Sequence, residues 1–191
     1  MYANPIAPLP VEKVPDVINH WRHGNHWWER AAAQAYDRGN HRVITARTNK
    51  EVYLLRFWLT PPQAGPDQGL ESGDSVLLHY FVRGDDDEAL HDHPWDFTTT
   101  ILCGGYWECL PPHDWANPHQ LHAVPGPAFD AHSEFRGPGM TVVRERYQLH
   151  SVGKVLPGTF TLVRTGTRAR EWGFHPPGKP WTPWRTFLGV A

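Results

Sequence analysis

Proline and glycine punctuate this chain more heavily than anything else in it: 19 Pro and 17 Gly lie among 191 residues, together with 10 Trp. Proline fixes φ and removes a backbone donor, so it interrupts helices and central strands alike. Frequent interruption with many aromatic residues between the breaks predicts short strands joined by irregular loops rather than a helix bundle. Val11 to Asn40 is the exception. Pro15 and Asp16 suit a helix start, and Gly24-Asn25 then breaks the chain. Asn25 is a suitable cap for a second helix over about His26 to Arg38. Trp27, Ala31 and Ala35, and Trp28, Ala32 and Tyr36, recur at i, i+4 and give that helix an apolar stripe. Met1 to Pro10 reads as an extended arm.

Beyond Asn40 the period changes. Arg42 to Thr48, Glu51 to Thr60, Ser75 to Arg83, Phe97 to Leu102 and Gly105 to Leu110 read as strands, as do Met140 to Tyr147, Leu149 to Val152, Thr159 to Thr165 and Glu171 to His175. Pro61 to Gly73 is a loop. Pro111 to Gly139 is Pro-rich, with a short strand at Leu121 to Val124 and His132 and Glu134 in an exposed loop. Pro176 to Ala191 is a tail packed on the body. The expected fold is mainly β, a sandwich or barrel with N-terminal α-helices. Residues 1–40 form the arm and helices, residues 41–191 the barrel, and the two make one structural unit.

Composition narrows the function. A net charge of −2 with 13 neutral His argues against a nucleic-acid partner. No apolar run reaches the 18 or so residues of a membrane span, and Met1 to Pro10 lacks the pattern of a secretion signal. A cytoplasmic location is the default expectation. Cys103 and Cys109 are too few for a disulfide scaffold and read as small buried hydrophobes.

The sharpest chemical signal is Leu90-His91-Asp92-His93-Pro94-Trp95-Asp96. Side chains two apart on a strand share a face, so His91 and His93 can present two imidazoles to one metal ion while Asp92 points away as a surface charge. Asp96 lies close behind and could add a carboxylate if the chain bends at Pro94. A third imidazole is supplied best by His150, in Tyr147-Gln148-Leu149-His150-Ser151-Val152. Neutral imidazoles with an oxygen ligand suit one divalent ion, Fe(II), Mn, Ni or Zn.

On these residues the sequence resembles the cupin superfamily over about residues 75 to 165. His91-x-His93 matches the His-x-His of the first cupin motif, Gly104 or Gly105 closes that motif, and His150 matches the His of the second. The resemblance implies a double-stranded β-helix, or jelly roll, with the metal inside the barrel and pairing into a homodimer through sheet edges. Two departures bear on the ligand set. Where the motif carries Glu, this chain has Phe97 and Thr98, and Asp96 comes one position early. Either Asp96 is a fourth ligand or the site is three-His. The latter resembles thiol dioxygenases, which share His-Asp-His, although their downstream Ser-His-Tyr signature is missing here.

Several other residues are candidates. Tyr147 could act as a phenolic acid or base. Arg164, 14 residues after His150, lies near where 2-oxoglutarate oxygenases keep a carboxylate-binding arginine. His132-x-Glu134 resembles the same enzymes' His-x-acid pair. Arg144 and Arg146 could line the barrel and clamp an anion, and His175 is a spare ligand. Leu77, His79, Phe81 and Arg83 share one strand face, which is either pocket or solvent. The reading that unites these signals is a non-haem Fe(II)-type oxygenase acting on a small, anionic substrate. The alternatives are a metal-dependent isomerase, lyase or hydrolase of the same fold, and a non-catalytic small-molecule-binding barrel.

Overall fold

A computed structural model describes residues 8–46, 49–60, 74–85, 89–112, 126 and 132–190. The loop expected over 61–73, the short strand expected over 121–124 and most of the N-terminal arm lie outside them.

Two helices lead the chain, α1 (Val14–Arg22) and α2 (Trp27–Asp37). α2 starts one residue later than the Asn25 cap predicts. His26 is its N-cap, and the Glu29 carboxylate accepts the His26 N–H at 3.0 Å. Twelve strands follow: β1 (His41–Thr45), β2 (Val52–Trp58), β3 (Ser75–Phe81), β4 (Leu90–His91), β5 (Phe97–Cys103), β6 (Tyr106–Leu110), β7 (His132–Arg136), β8 (Thr141–Arg144), β9 (Ser151–Val155), β10 (Thr159–Thr165), β11 (Gly173–His175) and β12 (Thr182–Pro183). A short helix, α3 (Trp184–Leu188), lies in the tail. Among the described residues no helix is long and apolar enough to cross a membrane.

One sheet has six strands in the order β1-β2-β3-β10-β5-β8, antiparallel throughout. The other strands form two three-stranded sheets, β12-β11-β4 and β7-β6-β9. A single bridge between His91 and His150 joins these two into a continuous layer. It consists of His91 N–H to His150 O at 2.9 Å and His150 N–H to His91 O at 3.0 Å.

Both faces of the six-stranded sheet carry large apolar side chains because each is covered. Val52, Leu55, Phe57, Leu78 and Phe160 face outward against the helices, whose Val14, Ile18 and Trp21 recur at i, i+4 and i+7. The Trp21 ring meets Phe57, Tyr80 and Phe160 edge-on, with centroids 6.0, 4.8 and 4.9 Å away. The alternate residues Leu54, Leu77, Phe81 and Val163 face inward, toward a cavity of about 300 Å³. The helical segment is therefore the outer layer of the barrel.

Three local differences from the sequence reading stand out. His132–Arg136 is a strand, β7, paired along its length with β6, not an exposed loop. β8 ends at Arg144, because the Gln148 N–H closes a turn onto Glu145 O at 2.9 Å. The tail, read as packed on the body with no element assigned to it, contains the helix α3, with Trp184 stacked on Trp172 (5.7 Å, 7°) and Phe187 on Phe174 (4.1 Å, 19°).

Trp21 fixes the helical layer to the sheet, so Trp21→Ala is expected to cost about 3–5 kcal/mol. Urea unfolding of the variant beside the parent protein checks this. An unchanged midpoint would mean that the helices contribute little to the barrel.

Candidate metal centre

The site is built on the His91–His150 bridge. Residues directly opposite across an antiparallel pair project to the same face. Their two imidazoles therefore stand side by side, ring centroids 5.0 Å apart. His93, two residues along, shares that face, and its N–H is held by Arg146 O at 3.2 Å. Its ring packs on Phe97 at 4.5 Å and its Nε2 lies 2.8 Å from His150 Nε2. One ring nitrogen from each of His91, His93 and His150 falls within 4.8 Å of the other two. All three side chains line the inner cavity.

His150 is oriented from behind. Its Nδ1 is 2.9 Å from Glu108 Oε1, so with Nδ1 protonated the Nε2 lone pair is left facing the cavity. Glu108 is itself buried and heavily bonded. Arg144 donates to it from Nε at 3.0 Å and from Nη2 at 2.6 Å, and Arg136 Nε donates at 2.7 Å. Burial alone would raise the Glu108 pKa, but the hydrogen bonds from His150 and Arg144 outweigh it and hold the carboxyl far below the usual range. Behind His91, Asp85 lies 4.0 Å from Nδ1, and its carboxylate accepts from Ser151 Oγ at 3.1 Å and Val152 N–H at 2.7 Å.

Burial is also the main influence on the other two imidazoles. It lowers the His91 pKa to about 4, against the pull of Asp85, and lowers that of His93 well below the ordinary value, with His150 adding to the effect. Both are therefore neutral near pH 7 and hold lone pairs that can ligate a cation. Nitrogen ligands 2.0–2.1 Å from a tetrahedral ion stand roughly 3.3 Å apart. His93 and His150 stand at 2.8 Å and all three donors lie within 4.8 Å of one another, close enough to gather around one divalent ion.

The fourth-ligand question has a structural answer. Phe97 occupies the position where the resemblance calls for glutamate, and its ring lies against His93 and His150. Asp96 turns away to a fork with Arg146, Oδ1 with Nε at 3.0 Å and Oδ2 with Nη2 at 2.6 Å, while Oδ1 also accepts the Arg146 N–H at 2.7 Å. Those bonds hold its carboxyl below the usual range. Among the described residues the group able to hold a metal ion is His91, His93 and His150, without Asp96.

The other candidates fall elsewhere. Arg164 is exposed on the outer face of β10, opposite the inward Thr161, Val163 and Thr165. Tyr147 lies outside the cavity, packed with Leu90, Cys109, Leu149 and Trp181 under the Arg170 guanidinium, because the turn at Glu145–Gln148 breaks the alternation between Arg144 and His150. Arg144 and Arg146 do clamp carboxylates, but those of Glu108 and Asp96. His132 bonds Glu134 at 2.9 Å on β7, and His175 is buried in β11; neither belongs to the group of three. Asp92 points away from the histidines as alternation predicts, yet it is buried, not a surface charge. Arg170 Nη1, the Gly173 N–H and Trp181 Nε1 bond it at 2.5, 2.7 and 3.0 Å. Burial raises its pKa and these partners pull it back. His79 faces the cavity, so the mixed face of β3 is pocket.

Sequence reasoning missed Glu108. Its signal was a lone acid at an inward position of an apolar strand, Tyr106-Trp107-Glu108-Cys109-Leu110, sharing a face with buried Tyr106.

No protein-family model and no curated protein matches the sequence, whereas solved structures do. The DMSP lyase DddQ from Ruegeria pomeroyi aligns with a TM-score of 0.50 at 14% identity, over 85% of this chain and 75% of that one. The polyketide cyclase RemF from Streptomyces resistomycificus aligns at 0.43, with 16% identity over 78% and 87%. A protein with a double-stranded beta-helix domain from Klebsiella pneumoniae aligns at 0.41, with 12% identity over 70% and 90%. The strand order, the facing layers and the DddQ alignment together define the fold class as a cupin-type double-stranded β-helix. Within that fold the chain carries an inward group of three histidines able to hold a metal ion.

Outer partners of a metal-bound imidazole typically contribute 10- to 100-fold in affinity. Glu108→Gln should weaken metal binding by about that factor, and His91→Ala should abolish it, in a titration against a competing chelator with unfolding followed in parallel. Unaltered affinity in a folded Glu108→Gln protein would mean that His150 needs no orienting partner.

Proposed function

We propose that this chain is a metal-dependent enzyme of the cupin type, a non-haem Fe(II) oxygenase acting on a small, anionic substrate. The observation that carries this reading is the placement of three imidazoles on one wall of a mostly apolar cavity. Three ligands on one side leave coordination positions open toward that cavity, as a catalytic ion requires. Bound there, Fe(II) supplies redox chemistry with O₂, whereas Zn, Mn or Ni supplies Lewis acidity.

The chain's own residues perform the remaining tasks. Glu108 orients His150 and Asp85 stands behind His91. Phe81, Phe97, Phe174, Trp172 and Val163 exclude water and shape the space beside the histidines. A cavity of about 300 Å³ lies at the lower end of the range for small-molecule sites. The same walls serve equally well around a Lewis-acid centre, so an isomerase, lyase or hydrolase is the second reading and the identity of the ion separates the two.

Elemental analysis of tag-free protein purified without chelator, with His91→Ala alongside, tests this directly. One equivalent of iron that is lost in the variant, together with substrate-dependent oxygen uptake, is the expected result. Zinc, manganese or nickel in its place moves the chemistry to the second reading. Absence of metal from both proteins after reconstitution would leave a non-catalytic binding barrel.

A further inference from the structure

The basic side chains on the cavity face of the six-stranded sheet all fall in one row. Strand register sets Arg42 opposite Arg56, Arg56 opposite His79 and His79 opposite Thr161. All four line the cavity. The row on one side of them is Ile44, Leu54 and Phe81, and the row on the other includes Leu77 and Val163. A polar stripe one residue deep therefore crosses an oily wall. It runs on the sheet that faces the histidine layer, close enough for Arg56 and His79 to bear electrostatically on His93.

Two features distinguish this stripe from ordinary barrel packing. Arg56 Nε donates to His79 Nε2 at 3.1 Å, which sets the plane of the guanidinium fork and makes Nε2 the acceptor of a neutral imidazole. Thr161 is fully buried, yet among the described residues its Oγ1 has no hydrogen-bond partner. A buried hydroxyl facing a cavity without a partner is costly unless a ligand completes it. The stripe offers a planar cationic fork, an imidazole and a hydroxyl, a donor set suited to the coplanar oxygens of a carboxylate.

We infer that the Arg56–His79–Thr161 row seats the carboxylate of a substrate whose apolar body extends along Leu54, Leu77 and Phe81 toward the histidines. This deepens the reading of the cavity as a substrate site by naming the substrate class: a small monocarboxylic acid with a hydrocarbon or aromatic body. Of the two guanidiniums in the row, Arg42 stands at the exposed end and Arg56 is half-buried beside the apolar wall, which favours a monoanion over a dianionic phosphate.

Calorimetric titration with hexanoate, 1-hexanol and inorganic phosphate tests this, using zinc-loaded and metal-stripped protein. Hexanoate should bind both forms. Arg56→Gln should weaken it about 10- to 100-fold in both, Arg56→Lys should restore part of the loss, and 1-hexanol should be unaffected. Thr161→Val should weaken hexanoate about 3- to 10-fold without lowering the melting temperature, because it deletes an unsatisfied hydroxyl. This variant keeps the test open if Arg56→Gln does not fold. Hexanoate binding that is absent, indifferent to both substitutions, or lost only with the metal or in His93→Ala overturns the assignment. So does phosphate binding more tightly than hexanoate. Failure to bind metal with Arg56-dependent hexanoate binding intact would end the metal reading while leaving the carboxylate seat in place.

Discussion

Two backbone hydrogen bonds between His91 and His150 hold the site together. They join the β12-β11-β4 and β7-β6-β9 sheets into one layer and set two ligand side chains on the same face. β4 is only two residues long, and its direction is set by this bridge on one side and by its pairing with β11 on the other. His93 and Asp92 inherit theirs from it by alternation, one toward the cavity and one toward Arg170. The same pairing links positions far apart in sequence, so site geometry and barrel closure are a single event. An ion bound only by the folded arrangement stabilises that event in proportion to its affinity.

The second constraint is the charge cluster behind His150. Glu108 is buried between Arg136 and Arg144, and Arg136 also reaches Glu134 at 2.7 Å. Removing one member would strand a charge in low dielectric, and that cost fixes the cluster's arrangement more firmly than any single bond. Arg144 comes from the edge strand β8 of the large sheet, while Glu108 lies in the opposite layer. The cluster is thus a polar rivet between the two layers, placed where it also aims an imidazole.

Local spacing made much of the candidate site readable in the sequence. His91 and His93 are two residues apart, so strand alternation alone places them together; the strand context of His150 makes it the third candidate, and the cupin resemblance narrows a β-sandwich or barrel to a jelly roll. Register was not readable. Glu108 meets His150 through a β6–β9 pairing whose register shifts between Tyr106 and Glu108, which spacing cannot reveal. The row of Arg42, Arg56, His79 and Thr161 exists only once four strands are aligned. β7 was read as a loop because His-Ser-Glu-Phe-Arg lacks apolar alternation; its inward charges are satisfied by ion pairs instead of hydrophobic contact. Motif distance points Arg164 toward the site and phenol chemistry points to Tyr147, but a strand face turns the first outward and a turn packs the second outside the cavity.

The Trp172–Trp184 stack has an optical consequence. The two indoles are nearly parallel and both border the cavity. Excited states of indoles this close couple to each other, so the absorption and emission of this wall depend on how the pair is stacked. A molecule entering beside them changes that coupling without any label. The chain therefore carries a built-in chromophore pair that reports occupancy of the cavity even for ligands that are never turned over.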